Sequence, residues 1–97
     1  MIKKLILKLY VVGSTYQSKL ALQNLESILK DELPNAYQVI VIDILKNPKL
    51  AEKDKIFAVP TVVKKLPPPI RKIVGDLSNK EHVLVGLDIV AKGRKSA

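Results

Sequence analysis

The chain has 97 residues, of which 47% are hydrophobic and only 4% aromatic, so it is expected to form one small domain with an aliphatic core. It has no cysteine and a single histidine, His82, which excludes disulfides, thiol catalysis, thiolate metal sites and multi-histidine metal sites. A formal net charge of +8 indicates attraction to acidic partners or nucleic acid. The composition predicts a cytoplasmic protein that neither spans a membrane nor carries a cofactor.

The first half of the chain predicts a βαβ unit. Residues 3–12 are apolar almost without interruption, which is typical of a central strand covered on both faces. Ser14 and Gln17 have the spacing of a capping box and predict a helix that runs to about Glu32. A second apolar run at residues 37–45 predicts a strand parallel to the first, because a helical crossover connects the two.

Shorter elements are predicted to follow this unit. Asn47 and Pro48 have the residue types of an N-cap and a first helical position, which predicts a short helix through Lys55. The carboxylate of Asp54 is expected on the solvated face of that helix. A third strand is predicted from Thr61, and Pro60 directly before it is a candidate cis-proline, because an X-Pro bond adopts cis at modest cost.

Two segments in the last third of the chain each fit two structures. Residues 70–74 fit a strand, or a helix begun at the preceding prolines. Residues 82–91 alternate as a strand requires, yet their apolar residues also recur at helical spacing. The capping-box pattern from Ser78 to Glu81 favours a helix there, whereas Gly86 costs a helix interior about 1 kcal/mol relative to alanine. Periodicity alone leaves both segments open.

The element order taken at face value is β-α-β-α-β-β-α, which is that of an α/β, thioredoxin-like domain. A redox enzyme of that fold needs a thiol at the start of the first helix, where this chain has Ser14 and Thr15. Both residues are expected to act as helix caps. We therefore predict a binding protein and no enzyme, with a single domain over residues 1–91 and a frayed basic tail over residues 92–97.

Three stretches resemble one known family. They are LKLYVVG at residues 7–13, VIDILKNPKLAEKDKIFAVPT at residues 41–61 and LPPPIRKIVGDLSNKEHVLVGLD at residues 66–88. Together they resemble the KaiB family of circadian clock proteins, and the likeness extends from about residue 5 to residue 90. The long second and third stretches make this resemblance specific.

The resemblance implies a regulatory protein without catalytic activity that can exchange one C-terminal arrangement for another. In a resting homotetramer or dimer the C-terminal half would be α-α-β, with residues 67–75 helical and residues 82–90 a strand. A monomer with the thioredoxin-like β-β-α arrangement would bind a KaiC-like ATPase ring and modulate its phosphorylation. It would also recruit KaiA or compete with a sensor histidine kinase. We expect the isolated chain to adopt the resting arrangement.

The resemblance also implies individual site residues. Gly86 and Asp88 match the positions that set the balance between the two arrangements. Basic positions that match the family and are candidates for partner contacts are Lys8, Lys46, Lys64, Arg71 and Lys72. An alternative interpretation of the +8 charge is a basic nucleic-acid-binding module.

Overall fold

The computed structural model describes residues 4–89 of the chain. Its elements are β1 (Leu5–Val11), α1 (Tyr16–Glu32), β2 (Tyr37–Asp43), α2 (Pro48–Lys53), β3 (Thr61–Leu66), β4 (Arg71–Val74) and α3 (Lys80–Gly86). The α/β class and the thioredoxin-like element order are therefore confirmed. The tail at residues 92–97 and the predicted end of the domain at residue 91 lie outside the described residues.

β1 lies inside a four-stranded sheet of order β2-β1-β3-β4. It pairs with β2 in parallel, as the predicted βαβ unit requires, and with β3 in antiparallel orientation. Leu9 illustrates the central position, because it lies between Val41 of β2 and Val62 of β3 and has no exposed surface. β4 completes the sheet by antiparallel pairing with β3.

The two faces of the sheet carry separate hydrophobic clusters, because side chains alternate along each strand. One face packs against α1 and α3 and contains Leu5, Leu7, Leu9 and Val11 of β1. The opposite face is covered by α2 and has a smaller cluster, whose buried members are Tyr10, Ile42, Ala51 and Val63. Whether a basic side chain of a strand is buried therefore depends on whether a helix covers it.

Helix starts differ by one residue from the two predicted capping boxes. α1 is capped by Thr15, whose Oγ1 accepts a hydrogen bond from the Ser18 N–H at 3.3 Å, and not by Ser14. α3 is capped by Asn79, whose Oδ1 accepts from the His82 N–H at 3.0 Å. Both cap residues have the extended backbone from which a side-chain oxygen can reach the first turn. Adjacent residues of capping type made the sequence assignment ambiguous by one position.

α2 begins as predicted, with Asn47 at the N-cap and Pro48 at the first helical position. It ends at Lys53, two residues before the predicted end. The reason is local, because Lys55 has a φ of 55° and this left-handed conformation cannot continue a helix. A chain reversal follows, and the N–H of Ile56 donates back to the carbonyl of Ala51 at 2.9 Å.

The C-terminal half has the β-β-α arrangement. Residues 71–74 form a strand and residues 80–86 form a helix, so the expectation that the isolated chain adopts the α-α-β arrangement is not met by this structure. The helix is supported at both ends, by the Asn79 cap and by two closing hydrogen bonds described below. Among residues 4–89, no helix is long and apolar enough to cross a membrane.

Candidate partner-binding surface

The end of α3 is closed by a Schellman motif. The N–H of Ile89 donates to the carbonyl of Leu84 at 2.9 Å, and the N–H of Asp88 donates to that of Val85 at 3.1 Å. Asp88 has a φ of 54° and therefore occupies the left-handed position just beyond the helix. Asp88 thus affects the helix through the geometry of its termination, and not as a helix-interior residue.

Gly86 provides the close contact between α3 and β4. A Cβ atom at this position would lie 2.6 Å from Cδ1 and 3.1 Å from Cγ1 of Ile73, a buried residue of β4. The glycine therefore lets the last turn of the helix approach the edge strand closely. Ile73 also joins the main hydrophobic core, so this contact links α3 to the sheet interior.

Lys64 lies at the same end of α3 but beneath it. Only 1% of the residue is exposed, and its Nζ donates a hydrogen bond to the main-chain carbonyl of Asp88 at 3.2 Å. Burial lowers the pKa of Lys64; the charge of Asp88 opposes that effect, and the neighbouring charge of Arg71 adds to it. Lys64 was predicted to contact a partner, and its burial under α3 makes it unavailable for such a contact in this arrangement.

The other predicted basic positions remain at least partly accessible. Lys8 is half-buried in β1 and Lys72 is exposed in β4, and both are paired with Val63 of β3 from opposite sides. Lys46 is exposed in the turn that follows β2, and Arg71 is exposed in β4. The structure therefore brings Lys8 and Lys72 onto one sheet face and leaves Lys46 at the end of the neighbouring strand.

Lys72 has a structural role in addition to its exposed position. Its Nζ donates to the main-chain carbonyls of Asp54 at 2.8 Å and Lys55 at 3.2 Å, directly after α2. A cation at this place also complements the negative end of the helix dipole. Lys72 consequently fixes the end of α2 to the edge strand β4.

A partly buried polar network not predicted from the sequence lies beside this contact. The Tyr10 hydroxyl donates to Oδ2 of Asp54 at 2.6 Å, and Lys65 donates to Oδ1 at 2.8 Å. The carboxylate is thus engaged by two side chains, which corrects the expectation that Asp54 lies on a solvated face. Residue pairs separated by 44 and 11 positions give no local sequence signal.

The network shifts the titration of two of its members. Burial, followed by the hydrogen bond to the Asp54 carboxylate and its charge, raises the pKa of Tyr10. Burial alone would raise the pKa of Asp54, but the hydrogen bonds from Lys65 and Tyr10 outweigh it and lower that pKa. The network therefore holds a neutral tyrosine and an ionised aspartate, which stabilise each other.

Pro60 lies where α2 and its following loop return to the sheet. The Val59–Pro60 peptide bond is cis, and the carbonyl of Pro60 accepts a hydrogen bond from the Gly75 N–H at 2.9 Å. The preceding loop exposes Phe57, a side chain that the sequence did not single out as functional. The sequence gives no signal for this exposure, because it depends on the packing of Ile56 and Val59 against the sheet.

The start of α1, where a redox enzyme of this fold would need its thiol, forms a shallow cavity of about 180 Å³. Gly13, Ser14, Ser18 and Lys19 contribute to its lining. Ser18 is satisfied internally, since its hydroxyl contacts Thr15 Oγ1 at 2.8 Å. Among residues 4–89 no group of three or more histidine, cysteine, aspartate or glutamate side chains could hold a metal ion.

Solved structures of the same shape define the class of fold. The chain superposes on the N-terminal domain of SasA from Synechococcus elongatus with a TM-score of 0.72 at 22% identity, covering 88% of this chain and 86% of that one. Mitochondrial thioredoxin 3 from Saccharomyces cerevisiae gives 0.69 at 16% identity, covering 89% and 78%. The protein therefore has a thioredoxin-like fold.

Sequence relatives identify the family within that class. The model of the KaiB domain matches residues 8–89. The chain is 58% identical over 88 residues to the circadian clock oscillator protein KaiB of Rippkaea orientalis, covering 91% of this chain and 85% of that protein. It is 57% identical to KaiB1 of a Synechocystis strain, covering 91% and 84%. The chain belongs to the KaiB family, and this membership supports a regulatory role of the circadian-clock type.

Proposed function

We propose that this protein regulates a circadian-clock-type system by binding a KaiC-like ATPase ring and modulating its phosphorylation state, without catalysing a reaction itself. The observation that carries this proposal is the 58% identity to a clock oscillator protein KaiB over nearly the whole chain. Further partners of the proposed kind are KaiA or a sensor histidine kinase. Self-association into a dimer or tetramer would compete with the bound state.

Surface charge supports a role for selected basic residues in this binding. Lys46 and Arg71 are exposed and can approach carboxylates on a partner. Lys72 is exposed but also holds the end of α2, so its removal would combine two effects. Lys64 supports the fold from beneath α3 and has no direct part in the proposed interface.

Size-exclusion chromatography with a KaiC-like ATPase ring tests the proposal, together with the phosphorylated fraction of the ring over time. The proposal requires co-elution and a changed phosphorylation course, and it fails if both are absent. Arg71→Gln and Lys46→Gln are expected to weaken binding by roughly two- to tenfold, because rim charges contribute modestly. The matched control is Lys30→Gln, which removes an exposed charge from the last turn of α1.

Nucleic-acid binding remains the alternative from a different class. Its support is the net charge of +8, but the carboxylate of Asp54 interrupts the sheet face that carries Lys8, Lys65 and Lys72. Retention of duplex DNA that falls steeply with rising salt would favour this alternative. Absence of retention even at about 50 mM salt, where phosphate contacts are strong, would exclude this alternative.

A further inference from the structure

Phe57 is the only phenylalanine in the chain, and 93% of it is exposed. A single exposed apolar residue is common on protein surfaces and needs no functional explanation by itself. Phe57 differs because the residues around it are held in place by packing and hydrogen bonds. The side chain is therefore presented to solvent by an ordered loop between α2 and β3.

Both sides of the loop are anchored to the sheet. Before Phe57, Ile56 packs against the cluster around Tyr10, and its N–H donates to Ala51. After it, Val59 packs against the same cluster, and Thr61 Oγ1 donates to the carbonyl of Ala58 at 2.7 Å. With Ile56 and Val59 occupying the interior positions, the aromatic ring is left outside.

A second set of contacts fixes the start of the loop. Lys72 of β4 donates to the carbonyls of Asp54 and Lys55, and the Asp54 carboxylate is held by Tyr10 and Lys65. These contacts join the loop to three strands of the sheet. A side chain displayed by a preorganised loop loses less conformational entropy on binding, which favours its use as an anchor.

The chain around this loop is basic. Lys49, Lys53 and Lys55 are all exposed in α2 and just beyond it, and they outnumber the one exposed acid of that helix, Glu52. The acid nearest to Phe57 in the sequence, Asp54, is turned inward to Tyr10 and Lys65, so its charge is already compensated. An aromatic side chain with a basic rim is complementary to an apolar pocket bordered by carboxylates.

We propose that Phe57 anchors the interface with the ATPase ring by inserting into an apolar pocket of the ring that is bordered by carboxylates. This inference rests on the proposed function, since it names the ring as the occupant of the surface. The surrounding lysines steer the approach, and the ring of Phe57 supplies the apolar contact.

Phe57→Ala tests the inference by isothermal titration calorimetry against the ATPase ring. The affinity is expected to fall by about thirtyfold, which corresponds to about 2 kcal/mol and is typical of an aromatic anchor. Phe57→Leu is expected to retain most of the affinity. The matched control is Val85→Ala, which shortens an apolar side chain that is 76% exposed on α3 and covers the other sheet face. This control is expected to stay within threefold of the unaltered chain.

The outcomes separate the two proposals. If the unaltered chain binds the ring and Phe57→Ala binds equally well, the anchor role is wrong while the proposed function stands. If the unaltered chain does not bind the ring, the proposed function is wrong, and the anchor role falls with it. Two other occupants of this surface are a second copy of the chain and a lipid membrane. Sedimentation of Phe57→Ala and of the unaltered chain, alone and with anionic vesicles, measures self-association and vesicle binding. A loss of self-association or vesicle binding on substitution, with ring binding unchanged, would assign Phe57 to that occupant and overturn the inference.

Discussion

The ammonium group of Lys64 donates a hydrogen bond to the main-chain carbonyl oxygen of Asp88, with 3.2 Å between Nζ and the oxygen. This contact joins β3 to the residue that terminates α3. The end of α3 buries the Lys64 side chain and requires a left-handed backbone at Asp88. The stability of α3 is therefore expected to respond to substitutions at both positions.

Lys64→Met is expected to leave the free energy of unfolding at pH 7 unchanged or to raise it by about 1 kcal/mol. The lowered pKa of Lys64 indicates that burial of its charge outweighs the favourable contact with Asp88. Methionine has a similar shape and removes that charge. Lys64→Ala is the control for lost packing and is expected to cost about 2 kcal/mol. Urea denaturation measures the free energy of unfolding of the two variants. A decrease of more than about 1 kcal/mol in Lys64→Met would contradict the expectation.

The same pKa shift predicts the pH dependence of stability. Below 10.5, its ordinary pKa, Lys64 is protonated more readily in the unfolded chain than in the folded one. Its contribution to stability is therefore greatest above pH 10.5 and is lost as the pH falls through the lowered pKa of the folded state. This contribution should vanish in Lys64→Met when unfolding curves of the two chains are compared across the alkaline range. Identical pH profiles would refute this assignment.

Asp88→Gly is expected to stabilise α3 by about 1 kcal/mol. Glycine adopts the left-handed conformation without steric cost and removes a carboxylate from the negative end of the helix dipole, and these two gains exceed the loss of the Asp88 charge that favours protonated Lys64. Asp88→Val should have the opposite effect, because a β-branched residue is strongly disfavoured at a positive φ. Amide hydrogen exchange of Val83 and Leu84 reports the change. Equal protection in the two variants would show that the backbone conformation of residue 88 does not limit the helix.

Gly86→Ala and Ile73→Val are expected to be coupled. Alanine gains helix propensity of about 1 kcal/mol, but its Cβ would meet Cδ1 of Ile73 at 2.6 Å. Valine lacks that terminal methyl group and makes room for the alanine. A double-mutant cycle of unfolding free energies should therefore show favourable coupling of at least about 0.5 kcal/mol. Strict additivity would mean that the Ile73 side chain relaxes at no cost.

Tyr10→Phe is expected to lower the free energy of unfolding by about 1–2 kcal/mol at pH 7, because the Asp54 carboxylate loses a short hydrogen bond. The raised pKa of Tyr10 also means that unfolding above pH 10 releases a proton, so stability falls with rising pH there. Phenylalanine should remove that part of the fall. The NMR titration of the Tyr10 ring carbon measures this directly, and ionisation of the folded chain near pH 10 would oppose the prediction.

The sequence was sufficient to predict the βαβ unit but not to assign the structures of β4 and α3. β1 and β2 are long apolar runs, and α1 has 17 residues with helical spacing, so local patterns determine them. β4 has four residues and α3 has seven, which is too short for periodicity to separate strand from helix. Their structures depend on tertiary contacts such as the one between Gly86 and Ile73.

The candidate fold-switch positions came from the family resemblance, and only Gly86 also carried a signal of its own, as a poor helix-interior residue. Gly86 is the last residue of α3, and Asp88 follows two residues later. Lys64 appeared to be a surface cation, because the alternation of β3 does not reveal that α3 covers one of its faces. The contact between Tyr10 and Asp54 joins distant segments, so neither residue indicates the other in the sequence.

We expect the β-β-α arrangement to be the one that binds the proposed partner. Backbone chemical shifts of the isotopically labelled chain in complex with the ATPase ring test this most directly. Helical shifts are expected for Lys80–Gly86 and extended shifts for Arg71–Val74 in the bound chain, with contacts between Val63 and Lys72 across the sheet. Extended shifts at residues 83–89 together with helical shifts at residues 71–74 in the complex would contradict it.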